Sequence, residues 1–479
     1  MHDVGTPDRG VAADLQWGGR FALPPDPRLL AYGSSLEDDL VLAPFDVRCS
    51  HAHVTAQLEG GVIDRASADA LYAALDQVAI EIARGEFVAF ARSGLFEDVH
   101  GAIDARVRQI VPSTAGEALH AGRSRNDQVA TTLVLYARDR AEKGLHLCTA
   151  IAQRFLGLAS NALRDGTLLA GTTHWQPAQP VLLAFWLQAA SEGFVRAARR
   201  FARVVHDASE FSPLGSGALS GSSLPLDRAA AALELGFDAP TRNALDTVGD
   251  RDVALDLLDA VTRGLIAASR PSEELVIWST PAFGYAQLDD AASTGSSLMP
   301  QKRNPDPFEL TRAAAGRAIG TLAGALATIK GVALSYHRDL QETKSAILDG
   351  TERGLAALDA FELTLTHLSF NHAKMTAEAA RGFTVATDVA DALISQGATA
   401  RAAHRFVGET VAAAKGDTIS GDDLERLRAS SGIAGLTAPL DADGCVAAKR
   451  TSGSTHPSMI AEAIASTRNE LSELEATKI

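Results

Sequence analysis

The chain has 479 residues, of which 46% are hydrophobic and 22% are charged. This is the composition of a globular protein, and the length is too great for a single compact core. Its 40 Gly and 18 Pro residues exclude collagen-like and low-complexity classes. The formal net charge of −15 argues against binding to nucleic acid or to an anionic membrane surface, because both need a basic surface. A small anionic substrate remains compatible with this charge.

The N-terminal stretch and the cysteines indicate the compartment. Residues 1–17 include acidic side chains and lack an apolar core of signal-peptide length, and the chain has no apolar run long enough to span a membrane. Cys49, Cys148 and Cys445 are odd in number and far apart, so neither a disulfide framework nor a structural zinc site is expected. We therefore expect a cytoplasmic protein without a membrane span and without a bound metal.

Helical periodicity dominates the middle of the chain. Four stretches show it, namely Thr131–Asn161, Ala178–Asp207, Asp252–Trp278 and Thr311–Lys330. Pro271 lies inside the third stretch, where it predicts a kink or break because proline lacks the backbone donor. Strand-like alternation is scarce. The pattern predicts an all-α fold with three mostly helical domains: an N-terminal domain over 1–117, a central long-helix bundle over 118–370 and a C-terminal domain over 371–479.

The fourth helical stretch carries two stripes. Its apolar stripe consists of Ala315, Ile319, Leu322, Leu326 and Ile329. Its glycine stripe consists of Gly316, Gly320 and Gly324. Each glycine costs a helix interior up to about 1 kcal/mol relative to alanine, which is tolerable where another helix packs closely. We therefore predict a buried helix within a bundle.

The segment Thr294–Asp306 concentrates hydroxyl, amide and cationic side chains that could take part in chemistry. Its first half has small and hydroxyl residues typical of a mobile loop, and its second half places Lys302 and Arg303 beside an Asn-Pro pair. Asn304 followed by proline is typical of a helix N-cap and first helical residue. The free N–H groups of such a helix start are able to receive an anion.

The segment Gly295–Asp306 resembles the signature loop of the fumarase/aspartase superfamily, whose members eliminate an amine or water from a succinyl group to give fumarate. Further stretches are similar to the argininosuccinate lyase/delta-crystallin family in particular, and they occur in the family's order. They are Trp17–Phe21, Glu97–His100, Leu119–Val129, Thr173–Pro180, Pro213–Leu219, Asp250–Asp252 and Tyr336–Glu342.

This resemblance implies the catalytic residues. Ser296 aligns with the family's catalytic serine, and His174 with a histidine that the family pairs with a glutamate, here Glu309. Elimination requires stabilisation of a doubly charged aci-carboxylate, for which Lys302, Asn304 and the helix start supply suitable donors. The residues alone leave open which of Ser296 and His174 removes the proton. We assign Ser296 as the base and His174 as the acid to the departing nitrogen.

The resemblance also implies the substrate contacts. Ser35, Ser124, Arg125, Asn126, Thr173 and Asn304 match positions that contact substrate, with Ser124 and Arg125 holding a succinyl carboxylate. Tyr336, Gln341 and Lys344 match positions associated with the arginine half of argininosuccinate. The stretches 119–128, 294–304 and 336–344 carry six cations and three anions, so we predict a locally positive pocket inside an acidic surface.

The leading hypothesis is therefore a lyase that converts argininosuccinate to arginine and fumarate without a cofactor. The resemblance implies a homotetramer whose central helices form a common bundle, with active sites assembled from different subunits. His337, Thr343, Thr172 and Trp175 depart from the usual family residues. Two alternatives stay open: a paralogous lyase that releases fumarate from another N-substituted succinate, and an inactive, crystallin-like structural protein.

Overall fold

The computed structural model describes residues 26–94, 96–112 and 114–476. The Trp17–Phe21 stretch lies outside these residues. Most of the described chain is helical, as predicted. None of the described helices is long and apolar enough to cross a membrane.

The helices in chain order are α1 (Pro27–Gly33), α2 (Leu36–Asp39), α3 (Ala43–Glu59), α4 (Arg65–Ala83), α5 (Glu86–Ser93), α6 (Val99–Ile110), α7 (Thr114–Ala118), α8 (Arg125–Asp165), α9 (Leu183–Glu210), α10 (Arg228–Glu234), α11 (Ala244–Thr247), α12 (Asp252–Trp278), α13 (Asp306–Ile329), α14 (Leu340–Thr366), α15 (His372–Glu378), α16 (Ala386–Ser395), α17 (Ala400–Ala413), α18 (Gly421–Ser431), α19 (Ala442–Ala447) and α20 (Pro457–Ala476). Two short 3₁₀ segments lie at Leu40–Leu42 and Asp290–Ala292.

The strands form three two-stranded sheets. They are β1 (Leu168–Thr173), β2 (Gln176–Leu182), β3 (Phe211–Ser212), β4 (Ala239–Pro240), β5 (Ala286–Leu288) and β6 (Leu368–Phe370). The pairs β1–β2 and β5–β6 are antiparallel, and β3–β4 is parallel.

The chain divides into two compact units. Unit 1 comprises Met1–Asp139, His206–Asp256 and Ala323–Asp349, and unit 2 comprises Arg140–Val205, Leu257–Leu322 and Gly350–Ile479. In unit 1, the buried Tyr136 ring packs edge-on against Phe45, with 5.8 Å between the ring centroids.

In unit 2, the buried rings of Phe155, Phe194 and Phe361 contact one another with centroid distances of 5.7 to 6.2 Å. A cluster of buried apolar side chains nearer the C-terminus includes Leu393 and Leu427. Aromatic and aliphatic burial of this kind is the main source of stability in helical packing.

The long helical predictions are confirmed, with two corrections. The second stretch begins as a helix only at Leu183, because residues 176–182 pair with β1 as strand β2 and contain Pro177 and Pro180. The third stretch is one continuous helix, α12, with Pro271 inside it. The predicted break is therefore wrong, and the predicted kink stays a prediction.

The prediction that the fourth stretch is buried is also wrong for the single chain. Helix α13 exposes 49% of Ile319 and 50% of Leu326. A Cβ built on Gly316, Gly320 or Gly324 would meet no atom within 4 Å. The face has the small-residue pattern of a packed helix, yet no other described segment of the same chain lies against the glycines.

Candidate functional site

A cavity of about 390 Å³ lies in unit 1. Six of the nine predicted substrate-binding residues line it: Ser35, Arg125, Asn126, Tyr336, Gln341 and Lys344. Four cationic side chains and two carboxylates are among its lining residues, which agrees with the predicted positive pocket. Sequence positions separated by more than 300 residues therefore meet at one site.

Helix starts supply most of this lining. Ser35 is the N-cap of α2, Asp98 is the N-cap of α6, and Arg125 is the first residue of α8. Arg251 directly precedes α12, and Leu340 begins α14. Helix N-termini carry partial positive charge and free N–H groups, so this arrangement favours an anionic ligand.

A buried lysine forms part of the cavity wall. Lys344 Nζ lies 2.6 Å from Asp39 Oδ1 and donates a 3.3 Å hydrogen bond to Ser35 Oγ. Ser35 Oγ in turn donates to Asp39 Oδ2 at 2.6 Å. Only 6% of the Lys344 side chain and none of the Asp39 side chain is exposed. The pair fixes the position of the ammonium group, because a buried charge needs its partner.

Arg125 is held by a second carboxylate. Its Nε lies 2.9 Å from Asp98 Oδ2, and its NH1 donates to Gln128 Oε1 at 2.6 Å. Burial by itself would raise the pKa of Asp98, but the charges of Arg125 and His100 and the N–H of Gly101 bring that pKa below its usual value. The Arg125 guanidinium is therefore fixed against a charged carboxylate.

Ser124 and Asn126 shape the start of α8. The Ser124 Oγ accepts from the backbone N–H of Asn126 at 3.2 Å, and Asn126 Nδ2 donates to Ala218 O at 2.9 Å. Ser124 is not among the residues that line the cavity, whereas Asn126 is. In this chain Ser124 acts as a local cap of the helix start.

The glycine loop after β3 is anchored to the same helix start. The N–H groups of Gly215 and Gly217 donate to Asp127 Oδ2 at 3.0 and 2.8 Å. Burial raises the pKa of Asp127 to about 6, and these backbone donors oppose the rise. Gly217 has a φ of +61°, and a Cβ on it would lie 2.5 Å from Gly221 O. Glycine is thus required there for both conformation and space.

The predicted catalytic histidine lies in unit 2, at the tip of the β1–β2 hairpin. Thr173 pairs with Gln176, and the two residues between them have positive φ, +54° at His174 and +59° at Trp175. Such a turn suits glycine and asparagine, and it costs other residues about 1–2 kcal/mol each. The exposed His174 forms no hydrogen bond or ion pair with the described residues. Thr173 and His174 line an aromatic cavity of about 750 Å³.

The predicted catalytic serine lies in a loop of unit 2 that is closed at its base. Thr294 and Asn304 form an antiparallel bridge through hydrogen bonds of 3.2 and 2.8 Å. Ser296 Oγ accepts from the backbone N–H groups of Leu298 and Met299 at 3.3 and 3.1 Å. These two local donors fix the orientation of the Ser296 hydroxyl within the loop.

The junction after this loop differs from the prediction. Helix α13 begins at Asp306, and the Asn304 side chain donates to Thr294 Oγ1 and Gly295 O. Asn304 therefore closes the loop and does not cap the helix. Lys302 lies exposed on the same loop.

Glu309 lies in the first turn of α13. Its Oε1 lies 3.8 Å from Arg312 NH2. In the single chain, no hydrogen bond or ion pair joins Glu309 to His174. The His174–Glu309 pair and the roles of Ser296 and Lys302 stay predictions.

Sequence reasoning missed several residues of the cavity. Glu97, Asp98, Arg251 and Arg338 line it without having been assigned a role. All four lie in stretches that resemble the family, so the sequence carries a signal for them. How these charged residues contribute to ligand binding depends on which of them form ion pairs, and the sequence alone does not show this pairing.

Comparison with known proteins agrees with the fold. Residues 19–320 match the Lyase family, and residues 383–447 match the family of the argininosuccinate lyase C-terminal region.

Several curated relatives match most of the chain. The argininosuccinate lyase of Anaeromyxobacter sp. (strain K) is 46% identical over 390 residues, covering 81% of both chains. That of Mycobacterium leprae (strain Br4923) is 38% identical over 466 residues, covering 96% of this chain and 97% of the relative. The argininosuccinate lyase of Clavibacter michiganensis subsp. michiganensis (strain NCPPB 382) is 40% identical over 474 residues, covering 98% of this chain and 94% of the relative.

Solved structures show the same fold at low identity. EDDS lyase in complex with formate superposes with a TM-score of 0.77 at 24% identity, covering 93% of this chain and 89% of the other. Class II fumarase from Schistosoma mansoni gives a TM-score of 0.66 at 16% identity, covering 81% of this chain and 87% of the fumarase chain.

Proposed function

The chain belongs to the argininosuccinate lyase family and is a carbon–nitrogen lyase, and from this premise we propose that it cleaves argininosuccinate to arginine and fumarate. One observation carries the proposal: Tyr336, Gln341 and Lys344, expected at the arginine half, line the same cavity as Arg125 and Asn126, expected at the succinyl half. The positive lining suits a substrate with several carboxylates.

The reaction is a β-elimination. Ser296 removes a proton from the succinyl carbon next to the one that bears nitrogen, and the resulting electron pair is delocalised into the neighbouring carboxylate. Lys302 and Asn304 donate to that aci-carboxylate, and its collapse forms the double bond of fumarate. The C–N bond breaks with its electrons on nitrogen, which takes a proton from His174. Glu309 orients the histidine ring.

In this assignment, Arg125, Ser35 and Asn126 hold the succinyl half, and the motif match assigns Thr173 of unit 2 to the same half. Lys344 binds the arginine half. Because Asp39 and Asp98 hold Lys344 and Arg125 in place, these cations need little rearrangement to meet substrate, which lowers the entropic cost of binding.

We further propose that the active protein is a homotetramer. The exposed glycine and apolar face of α13 supports this, because glycines at every fourth position suit close helix packing and cost stability when left in solvent. A second copy would bring further motifs to the exposed His174 and the loop of Ser296. Sedimentation equilibrium measures the mass directly, and a monomer would refute the assembly.

The substrate assay separates the lyases of this family. Purified protein is incubated with argininosuccinate, and fumarate is followed by its ultraviolet absorbance, with arginine identified by mass spectrometry. We expect equal amounts of both products. Fumarate from another N-substituted succinate, without release from argininosuccinate, would refute the proposed substrate and favour the paralogous lyase.

Paired serine variants test the proposed base. Ser296→Ala should lower kcat by about 10²–10⁴-fold without changing the unfolding midpoint, because only proton removal is lost. Ser297→Ala is the matched control, since this neighbour is exposed and has no assigned role. Equal activity in both variants would remove Ser296 from its role.

A further inference from the structure

The segment that leads into the loop of Ser296 is tied to the end of α14. The backbone N–H of Asp289 donates to His367 O at 3.1 Å, and His367 Nδ1 donates to Asp289 Oδ2 at 2.8 Å. His367 lies between α14 and β6, and β6 pairs with β5 directly before Asp289. A backbone contact and a side-chain contact therefore join the two segments at one point of unit 2.

Asp289 transmits this attachment to the loop. Its Oδ1 accepts from the backbone N–H of Ala291 at 2.9 Å and caps the 3₁₀ segment Asp290–Ala292. Its carbonyl oxygen accepts from Ser293 Oγ at 2.8 Å, and Ser293 is the last residue before the bridge that closes the loop. One carboxylate oxygen thus caps the entry segment while the other is held by His367, so the direction of this segment depends on both contacts.

The segment that leaves the loop is attached to the same place. Arg303 NH2 donates to Leu288 O at 2.9 Å and lies 2.9 Å from Asp290 Oδ1. Ser296 lies between the two attached ends, and residues 297–303 are all exposed in the single chain. Because burial of apolar side chains does not hold this part of the loop, its position depends on the polar contacts at its base.

The contact between His367 and Asp289 is a hydrogen bond to a charged group. A carboxylate only accepts, so the imidazole carries its proton on Nδ1. This hydrogen bond is the main reason why the pKa of Asp289 lies below its usual value. Asp289 is therefore ionised at neutral pH, and a hydrogen bond to an ionised acceptor is stronger and more directional than one between neutral groups.

We propose that His367 is a positioning residue for the reaction, because through Asp289 it fixes the base of the loop that carries Ser296. This inference rests on the proposed function, in which Ser296 removes the proton. Without His367 the entry segment gains freedom, so Ser296 reaches the proton of bound substrate for a smaller fraction of the time. The cavity of unit 1 contains most of the proposed substrate contacts and neither of these two residues, so binding should change little.

Kinetics of single and double variants test the positioning role. His367→Ala should lower kcat for argininosuccinate by about three- to tenfold with little change in KM, which is the effect expected from the loss of one hydrogen bond. His367→Asn should restore most of kcat, because its amide N–H can donate from nearly the same place as Nδ1. Adding His367→Ala to Asp289→Ala should cause no further loss, since the two residues act through one contact.

His404→Ala is the matched control. His404 is an exposed histidine of α17 that forms no hydrogen bond or ion pair with the described residues, so its replacement should leave kcat unchanged. Thermal unfolding should give the same midpoint for wild type, His367→Ala and His404→Ala, because the contact between His367 and Asp289 lies at the surface.

Tryptic cleavage after Lys302 and Arg303 reports on the loop without any substrate. His367→Ala should be cleaved there about three- to tenfold faster than wild type, and His367→Asn at close to the wild-type rate, with the fragments identified by mass spectrometry. Equal cleavage rates, an unchanged kcat, a loss confined to KM or additive losses in the double variant would each overturn the inference. If wild type fails to cleave argininosuccinate while the cleavage rates differ as expected, the proposed substrate is wrong and the anchoring of the loop by His367 stands.

Discussion

Replacing Lys344 by methionine should destabilise the protein because it leaves Asp39 charged and buried. The ion pair has an N–O distance of 2.6 Å, with 6% of the lysine and none of the aspartate side chain exposed. Removing one partner of such a pair costs about 3–5 kcal/mol, mostly through the uncompensated charge. We expect a loss of this size in urea unfolding followed by circular dichroism at fixed protein concentration.

The double variant separates stability from substrate binding. Asp39→Leu combined with Lys344→Met removes both charges and should recover most of the lost free energy of unfolding. It should not recover kcat/KM for argininosuccinate, because Lys344 lines the cavity. Arg65→Met breaks an ion pair whose side chains are 75% and 56% exposed, and it should cost less than about 1 kcal/mol. A loss in Lys344→Met as small as in Arg65→Met would refute the reasoning.

Three further outcomes follow from local geometry. Gly217→Ala should lower the free energy of unfolding by more than Gly221→Ala. Both glycines have positive φ, but only a Cβ at position 217 would lie 2.5 Å from a backbone oxygen. Equal losses for the two variants in urea unfolding would contradict this. Gly320→Trp on the open face of α13 should reduce the molar mass of the assembly measured by light scattering. Gly408→Trp is the control, because a Cβ there also meets no atom within 4 Å, and it should leave the mass unchanged. An unchanged mass in both variants would place the subunit interface elsewhere. His174→Gln should lower kcat by about 10²–10⁴-fold with little change in KM, and a loss confined to KM would make it a binding residue.

The sequence by itself determined the helical fold and most of the residues that line the cavity of unit 1. Periodicity located α8, α12 and α13 because an amphipathic or apolar helix repeats every 3.6 residues whatever surrounds it. The family motifs named six residues that line one cavity, because the identity of these residues can be read directly from the sequence.

Tertiary structure decided the features that depend on a partner distant in sequence. Residues 178–182 became strand because β1 lies beside them, and Asn304 turned back to Thr294 instead of capping α13. The face of α13 stayed open because no described segment of the same chain covers its glycines.

Charge pairing was the decisive tertiary property of the site. A linear pattern counts Arg125, Arg251 and Lys344 as three equivalent cations, but only the folded chain places Asp98 and Asp39 beside two of them. The third keeps free donors, because what a buried charge requires depends on its neighbours and not on its own identity.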